Sequence, residues 1–148
     1  MRCATGSFLS PMKKFELFID GACKGNPGPG GVGVVIRQDG KVIKELSRYI
    51  GQCTNNIAEY TALIFALQEC LLLRAESIKV NTDSELLFRQ MIKDYKVRHP
   101  NIVGLYNQAV HLAGGFKEFS ISHIPRSLNS DADRLATLAV EGNFKNRS

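Results

Sequence analysis

The chain has 148 residues, enough for one compact domain with a sizeable hydrophobic core. No apolar run approaches the roughly 20 residues that a membrane-spanning helix needs, so we expect a cytoplasmic protein with no membrane partner. The net charge of +5 favours a polyanionic partner. The four cysteines form no C-x-x-C pair, which argues against a zinc knuckle or a redox motif and favours reduced thiols.

The first half of the chain is predicted to form three strands and a long helix. Residues 1–12 have no periodic pattern and are expected to be a flexible tail. Alternating apolar residues predict a strand over 14–20, and a glycine-rich loop follows at 21–31. A turn at 38–40 joins predicted strands at 32–37 and 41–50. The helix at about 56–74 is apolar nearly all round, so we expect it to be buried.

The second half alternates strands with helices. A strand is predicted over 77–82, and the segment Thr82-Asp83-Ser84-Glu85 has the form of a capping box that opens a helix to about Asp94. Another helix is predicted over 100–112, and Gly114-Gly115 are expected to end it. A fifth strand is predicted over 116–123. The last helix is expected at 131–141. Residues 13–142 then form one domain, with a polar tail at 143–148.

This order of elements predicts an α/β fold. The first three strands can pair as an antiparallel meander, whereas the later strands need crossover connections through helices. We therefore expect a mixed five-stranded sheet that is flanked by helices.

Three acidic residues lie at notable positions, although each has an ordinary explanation. Asp20 stands before a glycine, as in many turns, and Asp83 suits the first turn of a helix. Glu59 resembles the last residue of a capping box that begins at Asn56. However, Glu59 also shares a helical face with apolar residues, and burying a carboxylate there is costly unless a cation or hydrogen bonds compensate it.

A fourth carboxylate comes from the last helix. Asp131 and Asp133 both flank its apolar face, so helical geometry does not choose between them, and an exposed ion pair explains either one. Asp20 and Asp83 both end strands, and active sites in α/β sheets form at the carboxyl ends of parallel strands. If these strands are adjacent, the carboxylates converge and need divalent cations, for which Mg²⁺ suits oxygen-only ligands.

Four segments share a pattern with one known family, in the family's order: Phe18–Gly31, Thr54–Glu59, Thr82–Ser84, and His123–Arg126 with Asn129–Ala136. They resemble the motifs of type 1 ribonucleases H, and the resemblance covers roughly residues 13–141. It implies a ribonuclease H-like fold, with 13–142 as its catalytic domain. The short segment 93–100 and the absence of tryptophan resemble the branch of the family that lacks a basic protrusion.

The resemblance implies a nuclease that cuts the RNA strand of an RNA–DNA hybrid. It assigns Asp20, Glu59, Asp83 and Asp133 to catalysis and metal binding, and its D-x-L-A pattern selects Asp133 over Asp131. Two Mg²⁺ ions, or Mn²⁺, would activate a water and stabilise the leaving oxygen. Asp20 would be the bridging ligand. His123 has the spacing of a mobile histidine that assists proton transfer or product release.

Further residues match family positions or suit contacts with the substrate. The expected substrate-binding residues are Cys23, Asn26, Thr54, Asn55, Asn56 and Glu85. The 2′-hydroxyl should separate RNA from DNA, and Glu85 can accept but not donate a hydrogen bond to it. Turn formation and helix capping remain alternative roles for these side chains. We expect the protein to be a monomer.

Two other functions are compatible with the same residues. The enzyme could also act on double-stranded RNA. Alternatively, the domain could be a non-catalytic module that binds hybrids, although the presence of all four carboxylates argues against a relic site.

Overall fold

Five strands and four α-helices make up the part of the chain that the computed structural model describes, residues 12–147, with side chains described up to residue 142. The elements are β1 (Lys14–Cys23), β2 (Gly28–Gln38), β3 (Lys41–Cys53), α1 (Asn55–Leu72), β4 (Ser77–Thr82), α2 (Glu85–Met91), α3 (Pro100–Ala113), β5 (Glu118–His123) and α4 (Ser130–Arg147). A single turn of 3-10 helix lies at Arg126–Leu128. Apart from Met12, the predicted N-terminal tail lies outside the described residues.

The strands form one mixed sheet in the order β3-β2-β1-β4-β5, which confirms the predicted fold class. The strands β1, β2 and β3 pair antiparallel, whereas β4 is parallel to both β1 and β5. The parallel register of β1 and β4 ends at the pair Ile19 and Thr82. Asp20 and Asp83 therefore follow side by side at the same edge of the sheet.

The helices α1 and α4 cover opposite faces of the sheet. Successive strand residues point to opposite faces, and a side chain at Gly21 would overlap with Ala58 of α1, whereas one at Gly33 would overlap with Ala132 of α4. On the α1 face, the hydrophobic core joins strand residues such as Leu17 and Ile19 to helix residues such as Leu63 and Leu67. This confirms the expectation that α1 is a buried helix.

The predicted glycine-rich loop at 21–31 is mostly strand. The antiparallel ladder of β1 and β2 extends to the pair Cys23 and Gly30, which leaves only residues 24–27 as a loop. The glycines of β2 serve close packing rather than turns, since a Cβ at Gly31 would lie 2.6 Å from the Ala136 carbonyl oxygen of α4. The predicted start of β2 at residue 32 is therefore wrong.

Helix ends differ from the prediction where the backbone turns left-handed. The helix α1 ends at Leu72 rather than Arg74, whose φ is +61°, and α2 ends at Met91 rather than Asp94, since Lys93 has a φ of +66°. Ser84, not Thr82, caps α2 by accepting a hydrogen bond from the Leu87 N–H.

The last helix is longer than predicted. It begins at Ser130 and continues to Arg147, because Gly142 does not adopt the positive φ that commonly ends a helix. The backbone of the predicted polar tail is thus helical up to Arg147. The domain limits at 13 and 142 stay a prediction. Within residues 12–147, no helix is both long enough and apolar enough to cross a membrane.

Candidate active site

Asp20 and Asp83 meet at the edge where β1 and β4 end their parallel pairing. Asp20 is buried, with 5% of its surface exposed, and Asp83 is half-buried. Their positions follow directly from the register, since each comes one residue after the last pair of the ladder. The predicted site required the strands that end at Asp20 and Asp83 to be adjacent, and β1 and β4 are indeed paired.

Glu59 reaches the same place from the first turns of α1. Its Oε1 accepts a 2.6 Å hydrogen bond from the Gly21 N–H, and the residue is buried. The close approach of α1 to β1 requires glycine at position 21, because a Cβ there would overlap with the Ala58 backbone. Thr54, rather than Asn56, caps the helix by accepting from the Ile57 N–H. Glu59 is therefore free of a capping role and points into the site.

These three carboxylates form a cluster. One oxygen each from Asp20, Glu59 and Asp83 lies within 4.8 Å of the others. A set of carboxylate oxygens alone is the donor chemistry that Mg²⁺ and Mn²⁺ prefer.

Asp133 joins the cluster from the first turn of α4. Its carboxyl is near enough to that of Asp20 to contribute to the raised pKa of Asp20. Asp131 points elsewhere and forms an exposed ion pair with Arg37, at 3.6 Å. Of the two aspartates that helical geometry left open, only Asp133 therefore reaches the other carboxylates.

Burial and mutual repulsion disfavour the charged forms of the two innermost carboxyls. Burial and then the charge of Glu59 raise the pKa of Asp20 to about 9. Burial likewise raises the pKa of Glu59 to about 8, although the Gly21 N–H opposes this shift. Without a cation, Asp20 and Glu59 favour their protonated forms near neutral pH, so a divalent ion would replace protons on binding.

Two residues at the site were absent from the predicted site residues. Asn129 is fully buried, and its amide Nδ2 donates to the Ile19 carbonyl at 2.8 Å and to Asp83 Oδ2 at 3.2 Å. Arg126 lies 3.7 Å from Asp133, and its charge lowers the pKa of Glu59. Both stand in the fourth motif, but their neighbours in the sequence are mostly polar and gave no local signal of these contacts.

His123 lies at the same edge, one strand further out. It is the last residue of β5 and pairs with Thr82, directly before Asp83. The side chain is exposed and stacks on Phe88, with the ring centroids 5.9 Å apart. The ring is thus accessible to solvent beside the cluster.

A groove of about 760 Å³ begins at Glu59 and runs between α1, α2 and the start of α3. Four predicted substrate-binding residues line it: Asn26, Thr54, Asn55 and Asn56. The Asn55 N–H donates to Asn26 Oδ1 at 3.1 Å, which ties the loop at 24–27 to the helix. Lys96 and Arg98 also line the groove.

Cys23 and Glu85 lie apart from this groove's lining. The thiol of Cys23 donates to the Cys53 carbonyl at 2.9 Å. Glu85 is exposed and forms an ion pair with Arg89 at 3.0 Å. The structure therefore gathers four of the six predicted substrate residues along one surface.

The chain is similar to a known protein family and to several known proteins. A family described as reverse transcriptase-like matches residues 18–139. The bifunctional protein Rv2228c of Mycobacterium tuberculosis is 41% identical over 130 residues, which are 86% of this chain and 36% of that protein. The chain thus spans about a third of that relative.

Two solved structures match almost over their full length. Ribonuclease H1 of the archaeon Halobacterium salinarum is 37% identical with a TM-score of 0.85, and the match covers 87% of this chain and 98% of that one. LC11-RNase H1, solved in complex with an RNA/DNA hybrid, is 37% identical with a TM-score of 0.83 and covers 88% and 99%.

Proposed function

The chain belongs to the ribonuclease H family, and we propose that it is a metal-dependent endonuclease that hydrolyses the RNA strand of RNA–DNA hybrids. The observation that carries the proposal is the convergence of Asp20, Glu59 and Asp83, with Asp133 beside them, at one edge of the sheet. The hybrid bound by the similar LC11-RNase H1 supports the choice of substrate.

Two Mg²⁺ ions fit the donor set, and Mn²⁺ is an alternative. When bound, such a pair supplies an activated water and stabilises the leaving oxygen of the phosphodiester. Asp20 is the proposed bridging ligand, because its carboxyl lies close to those of Glu59, Asp83 and Asp133. The raised pKa values of Asp20 and Glu59 support the binding of cations, since these two buried carboxyls need cations to ionise at neutral pH.

Neighbouring groups hold the carboxylates in place. The Gly21 N–H fixes one oxygen of Glu59, and the Asn129 amide fixes one oxygen of Asp83. Each of these hydrogen bonds leaves the second carboxylate oxygen available. Arg126 adds positive charge next to Asp133, where it would offset the charge of an incoming phosphate group.

The groove beside Glu59 is the proposed path of the hybrid. Its asparagine and threonine side chains can donate hydrogen bonds to phosphates and can both donate to and accept from 2′-hydroxyls. Lys96 and Arg98, which also line the groove, would neutralise phosphates in place of the basic protrusion. The connection between α2 and α3, residues 92–99, contains no helix. This agrees with a place in the branch of the family that lacks the basic protrusion. Cys23 and Glu85 would contact the substrate outside this groove.

His123 is the proposed auxiliary residue for proton transfer or product release. Its exposure and its place next to Asp83 support this role. A His123→Ala variant that turns over hybrid as fast as the wild type would remove the residue from the mechanism. The monomeric state and the cytoplasmic location stay predictions.

Cleavage assays on three labelled duplexes test the proposal. RNA–DNA hybrid, double-stranded RNA and double-stranded DNA are incubated with the protein and Mg²⁺ or Mn²⁺. We expect cleavage within the RNA strand of the hybrid. Comparable cleavage of double-stranded RNA would widen the substrate class, and hybrid binding without cleavage in either metal would identify a binding module instead.

A further inference from the structure

Two thiols approach each other across an intervening strand. Cys23 ends β1 and Cys53 ends β3, and β2 lies between these strands. Their sulfur atoms are nevertheless 3.9 Å apart. Gly30 of β2 makes this possible, because a Cβ at that position would overlap with the Cys53 sulfur. A glycine in β2 thus leaves a gap through which the two side chains meet.

The two thiols differ in exposure. Cys23 is half-buried, whereas Cys53 has only 5% of its surface exposed. Burial, followed by the effect of Cys23, raises the pKa of Cys53 to about 12, so Cys53 stays protonated and reacts slowly with a soluble oxidant. Cys23 is therefore the thiol that meets a soluble oxidant first.

We propose that Cys23 and Cys53 form an oxidation site for hydroperoxides, which closes as a disulfide within the chain. The Cys23 thiolate attacks the peroxide oxygen, the O–O bond breaks, and Cys23 becomes a sulfenic acid as water or an alcohol leaves. The Cys53 sulfur then attacks the Cys23 sulfur, the S–O bond breaks, and the departing oxygen takes up the Cys53 proton and leaves as water. In sum, two thiols lose two electrons and two protons, and the peroxide accepts them.

Closure would alter the substrate groove. The sulfur atoms must approach from 3.9 Å to about 2.05 Å, which draws the ends of β1 and β3 together. The chain continues from Cys23 into the loop that carries Asn26, and from Cys53 into Thr54, which caps α1. Because α1 also carries Glu59, oxidation should lower hybrid cleavage. This consequence rests on the proposed function, whereas formation of the bond does not.

Bond formation is tested in a chain that retains only this pair. Cys3→Ser and Cys70→Ala remove the other cysteines, and the purified variant is treated with hydrogen peroxide. We expect a mass loss of two hydrogens, no free thiol, a peptide that joins residues 23 and 53, and recovery on reduction. The same peptide should appear in the oxidised wild type, which guards against misfolding of the variant. Two titratable thiols, or a sulfinic acid at Cys23 with a free Cys53, would overturn the proposal.

The effect on activity is tested with Cys53→Ser, which removes the resolving thiol but none of the proposed site residues. Oxidation should slow hybrid cleavage by the wild type by about tenfold, because small displacements at an active site are costly. Reductant should restore it, and Cys53→Ser should lose less activity on the same treatment, because no bond draws its strands together. Equal loss of activity in both proteins would refute the effect on the groove. If the reduced wild type cuts no hybrid, the proposed function fails, and the mass measurement still decides whether the bond forms.

Discussion

Asp20 lies close to the carboxyls of Glu59, Asp83 and Asp133, and it is buried. Burying one carboxylate without a partner costs several kcal/mol or shifts its pKa, and gathering four of them adds repulsion. Among residues 12–142, no ion pair involves Asp20, Glu59 or Asp83, while Arg126 pairs with Asp133 and its charge also lowers the pKa of Glu59. Such a cluster is explained by the cations it would bind, rather than by stability.

The neighbouring aspartates of α4 offer a matched pair of variants. We expect Asp133→Asn to lower hybrid cleavage by at least about a hundredfold, since even outer-shell partners of metal ligands change activity 10–100-fold. Asp131→Asn removes the same charge but only an exposed ion pair with Arg37, so its rate should stay within about twofold. Steady-state cleavage with saturating Mg²⁺ measures both. Equal losses in the two variants would mean that net charge, and not ligation, explains the effect.

The raised pKa values predict how the stability of the metal-free protein depends on pH. Asp20 and Glu59 ionise near 9 and 8 in the folded state, but near 3.8 and 4.5 when unperturbed. Between these limits the folded state binds more protons than the unfolded state, so the free energy of unfolding falls as pH rises. Urea unfolding in EDTA between about pH 5 and pH 8 measures this slope.

The Asp20→Asn variant is the control for that slope. It removes one of the two groups that take up protons, so its stability should depend less on pH than that of the wild type. Saturating Mg²⁺ should raise wild-type stability more at the higher pH. If the wild type and Asp20→Asn lose stability in parallel, other groups cause the pH dependence.

At the scale of elements, the glycines of β2 position α4 and with it Asp133. A Cβ at Gly33 would overlap with the Ala132 carbonyl and lie 2.7 Å from the Ala136 nitrogen. Gly33→Ala should therefore destabilise the protein by about 3 kcal/mol, because backbone atoms must move to admit the methyl group. Equilibrium unfolding in urea gives the change.

Gly104 provides the opposite case within the same protein. It lies exposed inside α3, and nothing would come within 4 Å of an added Cβ. Gly104→Ala should stabilise the protein by about 0.5–1 kcal/mol, since alanine is the better helix former. If both alanine variants have the same stability, the packing of α4 on β2 is not as tight as described.

The sequence predicts the elements better than their ends. Alternation and helical periodicity predict the five strands and four helices found within residues 12–147, and β4 has the predicted limits. A glycine that makes a turn and a glycine that admits a neighbouring helix look alike in sequence, which is why residues 28–31 were predicted as a loop. Left-handed residues such as Lys93 are likewise set by tertiary context and carry no local signal.

The site shows the same division. The strand-end aspartates and the out-of-place Glu59 were predictable, because local pattern and register determine their positions. The role of Asn129 was not, since its main hydrogen-bond partner, the Ile19 carbonyl, is 110 residues away in the chain. The interactions of Arg126 likewise depend on how α1 and α4 come together.

At the scale of the whole molecule, positive charge is placed along the proposed path of the hybrid. Replacing Lys96 or Arg98 with alanine should weaken hybrid binding and lower the slope of log K against log salt by about 1 for each phosphate that is no longer neutralised. Lys41→Ala is the matched control, since Lys41 begins β3 at the end of the sheet opposite Asp20. Fluorescence anisotropy over a salt series measures the slopes. A similar decrease for Lys41→Ala would point to net charge alone.

The proposed function requires that the four carboxylates bind the metal ions that cut RNA in a hybrid. Cleavage and binding of one labelled RNA–DNA hybrid, by the wild type and by Asp20→Asn, test it most directly. With Mg²⁺ or Mn²⁺ the wild type should cut the RNA strand and EDTA should stop it, whereas Asp20→Asn should bind the hybrid with similar affinity and leave it intact. Cleavage by Asp20→Asn at the wild-type rate, or a wild type that binds the hybrid and never cuts it, would contradict the claim.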